Sequence, residues 1–312
     1  APPPVTGGHL AVAPSGEIAV ADPSSRQLFI GSIDGSPLSF SIRETHALAG
    51  EPGRVIADDE SGVHVVLRDV AAIASVEGVT RTLTTRPVCA SPRGVGFSAA
   101  RDTLYVACFD GRVQRLPREG GIAETMVTLS GGDLRDVVPQ PEGLWVTRFR
   151  AARAVLLSYE GAVLREVGIP AISTEREDRI ASIAWRAVAH PEGGIVIAHQ
   201  RHTNRTVSTA SPPEGRFGRN GGAYGGFDPI TGGCHPPLVT SAVTHIGADG
   251  SVRSLLGVMS PLPVDVAVLP IVSGRPALRT TVASAAFAHD GTLGVHETFE
   301  EPPDAPGADF PC

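Results

Sequence analysis

One unit recurs along this chain: a short apolar strand, a tight polar turn, then a second apolar strand rich in Val and Ala. Its copies are HLAVAPSGEIAVAD from His9, GRVIADDESGVHVVL from Gly53, RGVGFSAARDTLYVA from Arg93, RDVVPQPEGLWVT from Arg135 and RAVAHPEGGIVIAH from Arg186. A weaker copy, VDVAVLP, starts at Val264. Aligned on Val55, Val95, Val137 and Val188, the copies are spaced by 40, 42 and 51 residues, the period of propeller blades. The next step, to Val266, is 78 residues. It holds a Gly/Pro-rich stretch, residues 203–237, and then a hairpin, AVTHIGADGSVRSLL, from Ala242 to Leu256. One blade with a long internal loop explains this gap better than a missing blade.

Outer hairpins are also visible, at Gln27–Gly35 and Gly111–Leu116, which brings each unit to four strands. A four-stranded unit cannot bury both faces alone, so neighbours must stack radially and the ring must close over its edges. The sequence therefore predicts an all-β propeller over residues 1–298, followed by a proline-rich acidic tail, 299–312. The predicted count is seven blades, six of them carried by the copies above. FAHDGTLGVHE from Phe287 reads either as an outer hairpin of the sixth or as the start of the seventh.

Composition narrows the function classes. At 312 residues with 42% apolar and 19% charged residues, the chain has no run approaching the ~18 apolar residues of a membrane span. Its net charge of −7, with every basic residue an Arg, speaks against nucleic acid, which demands a concentrated basic surface. Four Cys without a Cys-x-x-Cys fit an oxidising compartment, and Ala1-Pro2-Pro3-Pro4 suits a mature terminus left by signal cleavage. Export to the periplasm or beyond is the expectation.

The segments Val88-Cys89-Ala90-Ser91-Pro92-Arg93-Gly94-Val95 with Leu104-Tyr105-Val106-Ala107-Cys108, Ala198-His199-Gln200-Arg201, and Leu262–Val268 carry a resemblance. The chain resembles the YVTN/NHL-type propellers of secreted bacterial proteins. It is similar in particular to propeller segments that precede MauG-like di-haem cytochrome c peroxidase domains. The resemblance implies a haem-bearing redox module, a c-type cytochrome, as the protein partner. With no Cys-x-x-Cys-His, this chain carries no covalently bound haem of its own.

Cys89 precedes the first inner strand of its blade and Cys108 closes the second, so a hairpin turning near Ala100 brings them to one end. That favours a Cys89–Cys108 disulfide and leaves Cys234 with Cys312, although four cysteines permit two other connectivities. Among the histidines, His190 and His199 lie roughly 17 Å apart along returning strands and cannot share an ion. His199, His202 and His235 are the set that a divalent metal would need, with ordinary hydrogen-bonded histidines as the plainer alternative.

Arg93, Arg135 and Arg186 each stand two residues before the aligned Val. In a propeller that position opens the innermost strand, so three guanidinium groups line an arc of the channel mouth, where His199 and Arg201 are expected to join them. Such an array suits a carboxylate or phosphate, or an acidic protein surface; the alternative is local pairing with acids such as Asp136 or Asp265. No GxSxG, HExxH, Walker or EF-hand pattern occurs. The leading expectation is a non-catalytic binding or scaffold module, and the competing one a metal-dependent hydrolase, lactonase or oxidoreductase at the same mouth.

Overall fold

Alternation of apolar residues along each hairpin leaves both strand faces to be covered, and in the computed structural model neighbouring sheets cover them. The structure describes residues 7–36, 39–173, 178–204, 226–227, 234–235, 238–258, 263–269, 279–287 and 293–300. These form four antiparallel sheets of four strands, one of five, one of three and a two-stranded ribbon. The larger six follow one another along the chain as blades 1 to 6, each starting from its innermost strand, apart from a two-residue strand at the inner edge of blade 5. The inner strands are Leu10–Val12, Pro52–Ala57, Pro92–Ser98, Leu134–Gln140, Asp178–Ala189 and Pro263–Leu269, and the whole is a β-propeller. Phe287 and Leu293 are register partners of one hairpin in the sixth sheet. The described ends of FAHDGTLGVHE, Phe287 and the residues from Leu293, therefore belong to the outer pair of blade 6, and the described residues form six blades.

In blade 5, Ile195–Thr203 pairs directly with Val239–Ile246, so the chain leaves and re-enters one sheet around the intervening segment. Within that segment Gly226–Phe227 pairs with Cys234–His235.

The buried apolar side chains fall into five clusters, one at each successive interface between blades. The strand Val63–Leu67 shows why apolar residues occupy both of its faces: Val63, Val65 and Leu67 pack towards blade 1, while Val66 packs towards blade 3. Period-2 alternation sends successive side chains to two different dry interfaces. The segment entering blade 1 meets blade 6 where the Gly8 N–H donates to Asp265 Oδ2 at 2.7 Å. Gly8 has φ +84°, and a Cβ there would overlap the Arg54 guanidinium, so the position demands glycine on both counts.

Cys89 and Cys108 are disulfide-bonded with a Cα–Cα separation of 6.2 Å. The bond is buried where blade 3 packs against blade 2, beside Val95 and Leu104. Cys234–Cys312 lies outside the described residues. With 19 residues between the bonded positions, the double substitution Cys89→Ser/Cys108→Ser is expected to cost about 3 kcal/mol. Urea unfolding of the oxidised chain against the variant measures this, and an unchanged midpoint would contradict it.

Candidate functional site

A break in register brings the arginines to the mouth. At the start of the inner strand of blade 3, Ala107 pairs with Gly94 and Cys108 with Pro92, so Arg93 is the extra residue of a bulge. The same two-against-one irregularity spans Gly53-Arg54 in blade 2, Arg135-Asp136 in blade 4, Trp185 in blade 5 and Val264 in blade 6. Bulges bend a strand and re-aim side chains, and they concentrate at barrel rims. Here they turn charged residues towards the axis at one end of five blades.

Those charges form a connected chain. Arg54 of blade 2 reaches Asp136 of blade 4 at 2.5 Å, and both are buried. Asp136 also receives the Ala187 N–H at 2.8 Å and faces Arg186 at 3.5 Å. Arg186 Nε lies 3.2 Å from Asp265 Oδ1, and the other oxygen of Asp265 holds Gly8. One ionic chain thus joins blades 2, 4, 5 and 6 to the segment entering blade 1.

Above it stand three guanidinium groups that have no carboxylate ion pair among the described residues. Arg93 lies over the Phe109 ring, 5.3 Å from its centroid, and Arg135 over Phe149 at 5.1 Å. Arg135 Nε donates to the Trp185 carbonyl at 3.2 Å. Arg68, just after Val63–Leu67, is mostly enclosed, and its Nε has no hydrogen-bond acceptor among the described residues.

The electrostatics of the set are those of a positive excess. Burial lowers Arg54 to about 10, with Arg186 adding to the fall and Asp136 opposing it. Burial also lowers Arg68, helped by Arg93 and Arg54, and lowers Arg135, where Asp136 opposes and Arg68, Arg93 and Arg186 assist. For Asp136, burial alone would raise the carboxyl, yet Arg54, Arg186 and Arg135 hold it below the ordinary carboxylate range. The arginines fall mainly through burial, whereas the Asp136 carboxyl falls against its own burial, which takes a surrounding excess of positive charge. Five guanidinium groups, Arg54, Arg68, Arg93, Arg135 and Arg186, act on one another against three carboxylates, Asp136, Asp265 and Glu51.

The structure brings together Arg93, Arg135 and Arg186 but not His199 and Arg201. His199 is fully buried inside blade 5, with its ring nitrogens against Thr244 Oγ1 at 2.8 Å and the Gln200 carbonyl at 3.1 Å. Arg201, also fully buried, donates to the carbonyls of Pro170 and Arg179 and to Ser254 Oγ. Both side chains point into the sheet packing, which corrects the expectation that they line the mouth. Of the three-histidine metal set, His199 has both ring nitrogens engaged and His202 is exposed. The His235 side chain lies outside the described residues. No group of three His, Cys, Asp or Glu suited to a metal occurs among the described residues.

Sequence reasoning missed Arg54 and Arg68. The available signal was Gly53-Arg54-Val55 where other copies read Arg-x-Val, a one-residue displacement of the same charge.

A second polar constellation occurs in blade 2. His64 sits 3.0 Å from Asp58 Oδ2 and 2.9 Å from Ser75 Oγ, all three buried, beside a pocket of about 230 Å³. The trio has the composition of a catalytic relay. Its geometry is that of a fastener: Asp58 Oδ1 also accepts the Glu60 and Gly62 N–H groups and so locks the turn. Ser75 lies mid-strand between register partners His64 and Thr84, not on a turn that offers oxyanion donors. Arg118 in the pocket wall is neutralised by Asp59, Glu60 and Asp102.

Comparison with known proteins adds the fold and nothing finer. No family model and no curated protein matches the chain. A chain of hydrazine synthase from Kuenenia stuttgartiensis superposes with a TM-score of 0.63 at 16% identity, covering 88% of this chain and 73% of that one. Virginiamycin B lyase from Staphylococcus aureus superposes with a TM-score of 0.58 at 10% identity, covering 97% of this chain and 86% of that one. The chain shares their propeller fold. At such identities the shared fold carries no activity across.

Proposed function

We propose that this protein is an exported binding module, without chemistry of its own, that recognises an anionic group at the arginine-lined end of its channel. The observation that carries this reading is the positive excess held there: Arg68, Arg93 and Arg135 make no carboxylate ion pair among the described residues, beside an ionic chain that ties the blades together. Guanidinium forks held by aromatic faces present planar donors suited to carboxylate or phosphate oxygens. The buried disulfide supports an oxidising compartment, periplasmic or extracellular. No helix among the described residues is long and apolar enough to cross a membrane. The YVTN/NHL-type resemblance extends the proposal to a haem-bearing redox protein whose surface acids or propionates meet this face.

The test is direct titration of the purified chain with c-type cytochromes and with small carboxylates and phosphates at low salt. Arg93→Gln and Arg135→Gln are each expected to weaken the bound anion roughly tenfold or more, the loss of one charge-assisted pair. Affinity unchanged in both variants removes the site. A metal-dependent activity is the second reading, and it requires His199 to exchange its Thr244 or Gln200 hydrogen bond for the ion.

A further inference from the structure

The arginine arc is preserved in blade 2 by an exchange between two strands. In blades 3 and 4 the bulge position holds Arg93 and Arg135, and the residue just after the second strand is a phenylalanine lying against that guanidinium, Phe109 or Phe149. Backbone bonds mark this second position as equivalent in three blades. The Phe109 N–H donates to the Ser91 carbonyl, the Phe149 N–H to that of Asp133, and the Arg68 N–H to that of Glu51. In blade 2 the bulge position is Gly53 and the strand-end position is Arg68. A Cβ on Gly53 would crowd Arg68 Nε, so the Arg68 side chain lies over the place where the other blades root their arginine. The pair Gly53/Arg68 thus inverts Arg93/Phe109, supplying a guanidinium from the neighbouring strand.

Resting on the anion-binding reading above, we infer that Arg68, Arg93 and Arg135 form one continuous arc that takes a small dianion, a dicarboxylate or a phosphate monoester, held by forks from three blades. The charge supports two negative groups: Arg54 and Arg186 are already paired with Asp136 and Asp265, while the three guanidinium groups of the arc make no carboxylate ion pair among the described residues. Recession supports a small ligand over a protein surface: Arg135 is 8% exposed, and the Arg54–Asp136 pair below it is sealed. So enclosed a guanidinium suits a group the size of a four-carbon diacid or a phosphate, or the tip of one side chain or propionate on a partner.

Calorimetric titration of the full chain at fixed ionic strength, with succinate, inorganic phosphate and acetate, tests this. The two dianions separate the carboxylate source from the phosphate source, and at least one of them is expected to bind tenfold or more tighter than acetate. Arg68→Phe is expected to lose roughly tenfold for that dianion, and Gly53→Arg/Arg68→Phe, which copies the blade 3 arrangement, to recover most of it. Arg68→Gln carries the same arm if the phenylalanine variant does not melt cooperatively. Wild-type affinity in both Arg68 variants, with binding lost in Arg135→Gln, overturns the arc but leaves the anion site standing. Acetate binding as tightly as both dianions overturns the dianion assignment. No anion binding at all, or none altered by Arg93, Arg135 or Arg68, overturns both.

Discussion

Asp136→Asn is expected to destabilise the propeller by about 3–5 kcal/mol, the cost of leaving a buried guanidinium without its counter-charge. Asp136 is the carboxylate that Arg54 reaches from blade 2 and that Arg186 and the Ala187 N–H reach from blade 5. The amide keeps the size and one acceptor oxygen but removes the charge, so Arg54, already lowered by burial, loses the one ion pair it makes among the described residues. For a domain of this size the loss corresponds to a fall of roughly 6–10 °C in midpoint by calorimetry. Arg54→Met is expected to cost less, because Asp136 then still faces Arg186. The double variant should fall short of the sum, since the two residues share one interaction. Strict additivity, or an Asn variant within 1 °C of wild type, would show that the chain does not hold the blades together. The pH dependence has the matching sign: a carboxyl whose folded pKa is depressed adds stability at neutral pH. That stability is lost only as pH falls below the ordinary carboxylate value, towards the lower folded one.

The same residues show what a sequence of this kind discloses. The propeller is legible because its cause is local and repeated: apolar hairpins at a near-constant interval leave two faces to cover, and a ring of neighbours covers them. Cys89–Cys108 is legible because the hairpin that contains both cysteines fixes which end each reaches. Arg93, Arg135 and Arg186 are legible as a column in the repeat. Arg54 and Arg68 are not, because a bulge admits two residues where alignment counts one, and because Arg68 reaches the mouth from a different strand. His199 and Arg201 illustrate the opposite failure. Counting along Ile195–Thr203 places them near the correct end, but the face each occupies depends on the pleat and on the unpaired Trp185 opposite. A one-residue change of register sends a side chain from the channel to the interior.

His199 supplies the second large effect, and its direction follows from burial. The imidazole is enclosed in blade 5, where burial first and Arg201 second lower its pKa to about 3, against the opposing Gln200 carbonyl. In the unfolded chain it takes up a proton near its ordinary value of about 6.5. Between those limits the unfolded state binds one proton more than the folded state, so stability rises with pH across the window and is lost as pH falls. Each pH unit is worth about 1.4 kcal/mol, and on the order of 4 kcal/mol accumulates by about pH 3. The range from roughly pH 6 to 4.5 isolates the effect, because buried carboxylates such as Asp58 and Asp136, both held below the ordinary value, are still charged there. Urea unfolding at half-unit intervals should show a slope one proton smaller in His199→Gln than in wild type, although the glutamine chain is weaker at pH 7. Equal slopes would mean that His199 carries a proton in the folded protein. That proton would have to sit between Thr244 and the Gln200 carbonyl with Arg201 beside it, an arrangement in which the neighbouring guanidinium would itself have to move.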